Sequence, residues 1–304
     1  ARHAGILARH AEKNGIKVEL ELVNDYMESV ILYTAGKFDG VAVTNMDALT
    51  SPAVGGKDTT ALIVGDFSNG NDGIVIKGGG TSVSDLKGRT IYLVELSVSH
   101  YALVRAFDKA GLSERDVKLV NTSDADISSV YTDAAPGSAA VTWNPMLMVA
   151  RNVPGTNLVF TSAEIPGEII DLMVVRPDAP ASLKRALVGA WFETMERITN
   201  SNTRDEAVAY MAEFAGATPA EFKAQMKTTA MFYKAGEAVS FTKSGALKET
   251  MELVRTFSFE HGLYGVGKTS KDFVGISFPD GSVLGDSKNV KLRFDATYME
   301  MATK

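Results

Sequence analysis

The sequence predicts an α/β protein with two sets of strands and helices, connected by two crossing strands. Three observations support this class. Short runs rich in β-branched residues alternate with amphipathic stretches, the alternation occurs twice before Pro177, and the last third of the chain has helical periodicity. A chain of 304 residues with 45% hydrophobic residues is long enough for two domains of ordinary size, each with its own core.

The first set begins with the run IKVELELV at residues 16–23, which we expect to be a strand. A helix over 26–36 follows, and further strands are predicted at 40–44 and 59–66. Strands that alternate with helices are typical of βαβ units. The sheet is therefore expected to be mostly parallel.

The second set has the same order of elements. It starts with DGIVIK at 72–77 and has a helix over 97–110, with further strands at 89–96, 116–120, 138–143 and 156–161. DGIVIK and the later run IIDLMVV at 169–175 are the expected crossing strands. Beyond them, apolar residues recur with a period of 3.6, which predicts helices over 180–200, 204–215, 219–226 and 244–261.

Composition excludes several classes of partner. The net charge is −6, from 31 basic and 37 acidic residues spread along the chain, so no basic stripe suited to nucleic acid or an anionic membrane is present. No apolar run of membrane-spanning length and no signal peptide is visible, so we expect no direct membrane insertion. The absence of cysteine rules out disulfides and thiolate chemistry but leaves the compartment open.

Motifs of catalysis, metal binding and cofactor binding have little support. GLYGVGKT at 262–269 matches the P-loop pattern formally, yet a helix is predicted before it and Gly and Pro interrupt the stretch after it. We therefore expect a glycine-rich turn that ends the helix, not a phosphate site. The four histidines have no metal-ligand spacing, and no serine sits in a nucleophile elbow. We therefore predict no metal, no cofactor and no catalytic residue.

The polar segment GDFSNGNDG at 65–73 raises the question of a calcium loop. Counted from Asp66, the sixth residue is Asn71 and the twelfth is Lys77, which do not match the Gly and Glu of an EF-hand. A single Asn-Gly would suffice for a turn. Ser68 and Asn69 therefore either point into a cleft at the end of a strand or only close the turn.

Three other stretches follow strands in the same way. Asn45 and Asp47 follow the strand at 40–44, Glu95, Ser97 and Val98 lie between a strand and a helix, and Trp143 and Asn144 follow the strand at 138–143. Asn45, Ser97 and Asn144 are acceptable helix N-caps, so capping explains each stretch by itself. Their recurrence at successive strand ends favours a ligand cleft.

Four segments of the sequence carry a resemblance to a known family: AGKFDGVAVTNMDAL (35–49), GDFSNGNDGIVIK (65–77), ELSVSHYAL (95–103) and AAVTWNPM (139–146). They resemble the substrate-binding proteins of ABC importers for nitrate, taurine, aliphatic sulfonates and urea-like solutes, the NMT1/THI5-like group. The resemblance extends from the first helix to the segment at 278–301.

The resemblance implies a two-lobed periplasmic-binding-protein type II fold, with two sheets, flanking helices and two crossing strands. Lobe one would comprise 1–72 plus 172–304, with the helical C-terminal part, and lobe two 73–171. The lobes would close on a small-molecule ligand by a hinge motion and carry out no chemistry. A periplasmic or extracytoplasmic monomer that delivers its solute to an ABC permease of the inner membrane is implied.

The resemblance implies ligand contacts at eight strand-end residues and at Glu164 and Asp171, which flank the return crossing. Glu95 is added to this site because it lies at the same junction as Ser97. The predicted site comprises Asn45, Asp47, Ser68, Asn69, Glu95, Ser97, Val98, Trp143, Asn144, Glu164 and Asp171.

The charge of these stretches bears on the ligand. They contain acids but no Lys or Arg, which favours a small nitrogenous solute such as urea, guanidinium or an amide, with Trp143 as a flat or cation-π wall. A helix beginning near Ser97 would instead suit an anion such as nitrate, taurine or an aliphatic sulfonate. A third alternative is a pyrimidine-precursor enzyme or binding protein on the same fold, although the related enzymes carry a cysteine-rich motif that this chain lacks.

Overall fold

The computed structural model describes residues 4–303 as a mixed α/β protein with two sheets and flanking helices. The strands are β1 Gly40–Thr44, β2 Thr59–Ser68, β3 Asp72–Lys77, β4 Thr90–Leu93, β5 Lys118–Asn121, β6 Ala139–Trp143, β7 Thr156–Thr161, β8 Ile170–Val175, β9 Thr229–Met231, β10 Gly275–Ser277, β11 Val283–Leu284 and β12 Val290–Phe294. The α-helices are α1 Ile6–Lys13, α2 Tyr26–Thr34, α3 Asn45–Ala48, α4 Val98–Ala110, α5 Ile127–Asp133, α6 Met146–Arg151, α7 Ala181–Thr199, α8 Arg204–Phe214, α9 Pro219–Met226, α10 Ala235–Thr242, α11 Gly245–Glu260 and α12 Thr297–Met301.

The strands form a seven-stranded and a five-stranded sheet. The first has the order β1-β8-β2-β12-β10-β11, with β9 added beside β2, and the second has the order β5-β4-β6-β3-β7. The chain passes from one sheet to the other between β2 and β3, at 69–71, and returns between β7 and β8, at 162–169. The lobe boundaries themselves stay a prediction.

The expectation of mostly parallel sheets is wrong. β8 lies between β1 and β2 and runs antiparallel to both, and β3 lies between β6 and β7 in the same way. Parallel pairing is found between β4 and its two neighbours and between β12 and its two neighbours. The strands next to the crossings are the antiparallel ones, because a chain that enters a sheet from the other lobe arrives from the opposite end.

The strand expected at 16–23 is also absent from the described structure, although its alternating pattern is clear in the sequence. The segment has no ladder partner among residues 4–303, and Leu20 and Leu22 are 46% and 62% exposed. A strand exists only through hydrogen bonds to a neighbour. Period-two patterning alone does not supply that neighbour.

The helices of the last third agree with the prediction to within one or two residues, and their caps explain where they begin. The Ser244 hydroxyl caps α11, and the Thr218–Glu221 capping box opens α9. A glycine-rich turn follows α11 at 262–269, with neither a preceding strand nor a following helix, so the context of a P-loop is missing from this part of the structure.

Aromatic side chains join the two halves of the core. Tyr101 of α4 packs edge-to-face on Phe257 of α11 at 4.7 Å between ring centres, and Tyr33 and Phe107 are completely buried. Within residues 4–303, no helix is both long enough and apolar enough to cross a membrane.

Candidate functional site

Asp47 is completely buried at the point where β1 leads into the short helix α3. Its Oδ2 atom accepts hydrogen bonds from the Tyr26 hydroxyl at 2.8 Å and from the Thr44 hydroxyl at 2.9 Å. Thr44 also caps α3, and its own backbone N–H donates to the Tyr26 hydroxyl at 3.0 Å. The end of the strand and the first residue of α2 thus hold the carboxylate in one position.

The same oxygen also faces the layer that covers the other sheet. The backbone N–H of Val98, the first residue of the 13-residue helix α4, donates to Asp47 Oδ2 at 3.4 Å. A helix N-terminus carries partial positive charge and unpaired N–H groups, which favour an anion. At α4, a carboxylate of the protein itself takes this role.

Two aromatic rings lie next to this carboxylate. Tyr26 and Trp143 meet edge-to-face with their ring centres 5.6 Å apart and an interplanar angle of 70°. Trp143 ends β6 in the five-stranded sheet, whereas Tyr26 begins α2 beside the seven-stranded sheet. Both residues are half-buried, so the ring pair spans the cleft between the two sheets and remains in part accessible.

The first crossing is held by a buried hydroxyl and carboxyl network. The Ser68 hydroxyl donates to Asp72 Oδ2 at 2.5 Å and lies 2.6 Å from the Ser162 hydroxyl at the start of the return crossing. Ser162 also accepts from the Gly70 N–H at 2.8 Å. Asn69 is exposed, and its N–H donates to the carbonyl of Thr228, the residue before β9. The Ser68 hydroxyl is therefore directed into this network, whereas the structure shows no such contact for the exposed Asn69 side chain among the described residues.

A second carboxyl pair lies across the adjacent strands of the seven-stranded sheet. Asp66 of β2 is directly opposite Asp171 of β8, so both side chains point to the same face. Asp66 is buried, whereas Asp171 reaches solvent. Burial, followed by the charge of Asp171, raises the pKa of Asp66 well above its usual value.

The four aspartates give this region a strong acidic character. Burial raises the pKa of Asp47 to about 6 and that of Asp72 to about 7, and the neighbouring carboxylates add to both shifts. Hydrogen bonds from Tyr26 and Thr44 to Asp47, and from Ser68 to Asp72, act in the opposite direction. Among residues 4–303, no Lys or Arg forms an ion pair with any of the four.

Two acceptor atoms in this region have no partner. Asp47 Oδ1 and Asp66 Oδ1 are buried and accept no hydrogen bond from the described residues. A buried acceptor without a partner costs about 1–3 kcal/mol, more when it is charged. A ligand that donates N–H or O–H groups would remove this cost, so the arrangement suits a donor-rich solute.

Several predicted site residues have other roles in the structure. The Asn45 side chain bonds to the backbone of Glu168 and Ile170, and the Ser97 hydroxyl caps α4. Glu164 is exposed and accepts from the Thr161 N–H in a local turn. These contacts stabilise the start of β8, the start of α4 and the end of β7.

Other predicted residues lie where loops meet the cleft. Glu95 is half-buried in the junction before α4, and its N–H donates to the Asn121 side chain. The next residue, Leu96, has a left-handed backbone with φ of 60° and is 54% exposed, an uncommon conformation for leucine. Asn144 donates to the Thr228 hydroxyl at 3.3 Å.

Sequence reasoning missed Tyr26 and Ser162 as site residues. Tyr26 follows Asp25, whose side chain caps α2, so its position at a helix start was visible but its partner Asp47 was not. Ser162 follows β7 directly, and the strand-end argument used for Ser68 applies to it equally. In the described part of the chain, no group of three or more His, Cys, Asp or Glu residues is arranged to hold a metal ion.

The chain is similar to known proteins over most of its length. Residues 10–190 match the family model described as NMT1/THI5 like. A protein of Brucella abortus whose name includes the words binding protein is 24% identical over 243 residues, which cover 78% of this chain and 73% of that protein.

Two solved structures have the same fold. The alkanesulfonate-binding protein SsuA from Xanthomonas axonopodis pv. citri, bound to MOPS, has a TM-score of 0.71 at 16% identity and covers 87% of this chain and 89% of its own. The periplasmic aliphatic sulphonate binding protein SsuA from Escherichia coli has a TM-score of 0.65 at 17% identity, covering 88% of this chain and 90% of its own. The predicted fold class is confirmed by both.

Proposed function

Because the chain belongs to the NMT1/THI5-like family, as its motifs predict, we propose that it is the solute-binding component of an ABC importer and takes a small nitrogenous solute. One observation favours a nitrogenous solute over an anion. Asp47, Asp66, Asp72 and Asp171 meet at the cleft, and no described Lys or Arg is paired with them.

The acids discriminate between ligand charges by a large margin. Two unit charges about 4 Å apart interact by roughly 4 kcal/mol at an effective dielectric of ~20. A guanidinium or ammonium group would gain that energy beside Asp47, and an anion would lose it. Neutral urea or an amide would donate N–H groups to the unpartnered Asp47 Oδ1. The half-buried rings of Tyr26 and Trp143 offer a flat or cation-π face to either kind of ligand.

A second candidate is an anion such as nitrate, taurine or an aliphatic sulfonate. The two structures of the same fold are described as sulfonate-binding proteins, and α4 begins at the cleft with the N–H of Val98 directed into it. To bind an anion there, Asp47 would have to be protonated or displaced. This requirement makes the anion the weaker of the two candidates.

The rest of the function follows from the importer role. The two lobes, comprising 1–72 plus 172–304 and 73–171, would open and close about the crossings at 69–71 and 162–169, with delivery to an inner-membrane permease from the periplasm or another extracytoplasmic space. The protein would act as a monomer and catalyse no reaction, with neither a cofactor nor a metal. The predicted residues Asp47, Val98 and Trp143 would contact the solute, with Ser68 and Asp171 behind them.

Calorimetric titration at pH 8 tests the proposal. Guanidinium, methylammonium, urea and acetamide form one panel, and nitrate, taurine and methanesulfonate form the other. We expect binding from the first panel, weakened at least tenfold by Asp47→Asn, because a hydrogen bond to a charged group contributes about 1.5–3 kcal/mol.

The matched control is Asp133→Asn, which removes the same charge from an exposed position of α5. This variant should bind like the unchanged protein. Binding confined to the anion panel, or binding that Asp47→Asn strengthens, would show that the second candidate is correct. No binding from either panel would contradict both candidates, the nitrogenous solute and the anion.

A further inference from the structure

An apolar cavity of about 520 Å³ lies against the face of the seven-stranded sheet that α7 covers. Its walls come from α7, α8, α9, the sheet and the crossing region, with Asn71 and Asn144 at the crossing end. Its lining is rich in methionine, a flexible side chain that adapts to irregular apolar ligands. The methionines are Met173, Met195, Met211, Met226 and Met231.

The acid pair is not part of the cavity lining but lies on neighbouring positions of the same sheet. Met231, which lines it, is directly opposite Asp66 across β9 and β2, and Met173, also in the lining, lies two residues after Asp171 along β8. Residues directly opposite in neighbouring strands, and residues two apart in one strand, share a face of the sheet. Asp66 and Asp171 therefore point to the side of the sheet on which the cavity lies.

Two polar atoms of opposite character on this side of the sheet, one of them in the cavity lining, have no described partner. The indole N–H of Trp191, a lining residue, donates to no acceptor within the described chain, and Asp66 Oδ1 likewise has no described partner. An occupant that satisfies both must bring a hydrogen-bond acceptor and a donor. A hydrocarbon has neither group, and an ammonium group has only donors.

We propose that the cavity is the substituent site of the ligand, and that the ligand is a small carboxamide with an apolar group of ring or short-chain size. The inference rests on the proposed function and narrows its solute class to apolar amides. The amide carbonyl accepts from Trp191, one of the two amide N–H groups donates to Asp66 and leaves the other for Asp47, and the apolar group fills the methionine-rich space. Volumes of 300–1,000 Å³ are usual for small-molecule sites, and this cavity is within that range.

Titration with a homologous series tests the role of the apolar group. The probes are acetamide, propionamide, butyramide and benzamide, with toluene as the apolar probe without an amide and benzylamine as the one without an acceptor. Each added methylene should tighten binding by about three- to fourfold, since burial of one contributes about 0.8 kcal/mol. Toluene and benzylamine should bind at least about twofold more weakly than benzamide, because each lost hydrogen bond costs about 0.5–1.5 kcal/mol, a factor of roughly two to twelve.

Two substitutions separate the polar and apolar parts of the site. Trp191→Phe keeps a ring but removes the N–H, so it should weaken benzamide binding several-fold and leave toluene binding unchanged. Ala190→Leu fills part of the cavity and should abolish the dependence on chain length while acetamide still binds. Should that variant fail to fold, Thr194→Leu adds apolar volume to the same wall.

The outcomes distinguish this inference from the proposed function. Equal affinity for acetamide and butyramide, with both sensitive to Asp47→Asn, overturns the inference and leaves a nitrogenous solute in place. Toluene bound as tightly as benzamide overturns it as well, because the amide would then contribute nothing. Binding of sulfonates alone removes both proposals.

Discussion

At the residue scale, the proposed solute binding depends on Asp47 and on the Tyr26 hydroxyl that bonds to it. The Tyr26 hydroxyl donates to Asp47 Oδ2, and this bond lowers a carboxyl pKa that burial otherwise raises. A cationic or N–H-donating ligand binds best when the carboxyl is ionised. Its affinity should therefore be constant well above pH 6 and fall up to tenfold per pH unit below it.

Tyr26→Phe should shift this pH dependence. Loss of the hydroxyl removes an interaction that lowers the pKa of Asp47, so the half-point of guanidinium binding should move to a pH above about 6. Calorimetric titrations from pH 5 to pH 8.5 measure the profile. Tyr131→Phe is the control, because it deletes a hydroxyl with a comparable threonine partner in the five-stranded half of the protein. A profile unchanged by Tyr26→Phe, with binding intact, would mean that Asp47 is not the titrating group.

At the element scale, local sequence patterns predicted the positions of many strands and helices, but they did not predict which strands pair. The strands at 40–44, 72–77 and 156–161 agree with their predicted bounds, because β-branched runs are bounded there by turn residues. The run at 16–23 has the same pattern and forms no strand, and β8 inserts antiparallel where parallel order was expected. Pairing is a long-range property, and one strand's sequence does not contain it.

The candidate site was predictable to the same extent. Residues after strand ends, such as Asp47 and Ser68, could be identified because such positions collect at one edge of a sheet. The contacts that decide their roles could not, since Tyr26 and Ser162 reach them from distant parts of the chain. The Asn45 amide, predicted as a ligand contact, bonds to the backbone of Glu168 and Ile170 at the start of β8, and its contact with a ligand stays a prediction.

The packing of α7 on β2 leads to a stability prediction at this scale. A Cβ atom at Gly65 would lie 2.7 Å from Cζ2 of the Trp191 ring, closer than real Cβ contacts. Gly65→Ala should therefore destabilise the protein by about 1–3 kcal/mol, the usual cost of overpacking. Gly236→Ala in α10 is the matched control, because its Cβ meets nothing within 4 Å and alanine favours a helix by up to ~1 kcal/mol. Urea unfolding measures both, and a neutral Gly65→Ala would show that Trp191 is free to move.

At the scale of the whole molecule, hydrogen bonds connect the half that contains the seven-stranded sheet to the half that contains the five-stranded sheet. Glu114 accepts from His100 at 2.6 Å in its own half and from His261 after α11 at 3.1 Å, and Ser123 donates to Asp25 at 2.7 Å across the cleft. Arg105 of α4 and Glu168 of the return crossing form a bidentate pair at 2.8 and 2.9 Å. These polar contacts join the two halves in the described structure, in which Asp47, Asp66 and Asp72 are buried.

Burial of these acids predicts how stability depends on pH without ligand. The folded-state pKa values of Asp47 and Asp72, about 6 and about 7, lie above those of the unfolded chain, so the folded protein binds more protons between roughly pH 4 and pH 7. The stabilisation is therefore present at low pH and is lost as the pH rises through 6 and 7. The unliganded protein should melt at a higher temperature at pH 5.5 than at pH 8.

Asp72→Asn tests the origin of this slope. The amide mimics the protonated carboxyl, so the variant should be more stable than the unchanged protein at pH 8. Its stability should also depend less on pH. Each unit by which folding raises the pKa of Asp72 corresponds to about 1.4 kcal/mol in the free energy of unfolding. Asp133→Asn should leave the slope as it is. A melting temperature that rises from pH 5.5 to pH 8 in the unchanged protein would contradict the assignment of protons to these carboxyls.

The position of β8 also determines the order in which the protein can assemble during synthesis. The five-stranded sheet is built from one continuous stretch, 72–161, whereas β1 and β2 have no strand partner until β8 and later strands have been made. At ~5–20 residues per second, the ribosome needs on the order of ten seconds to add the hundred or so residues between them. For that time two apolar strands have unpaired edges, which other chains can join. We therefore expect the exposure of β1 and β2 to such pairing to follow from the order of strands in the sheet.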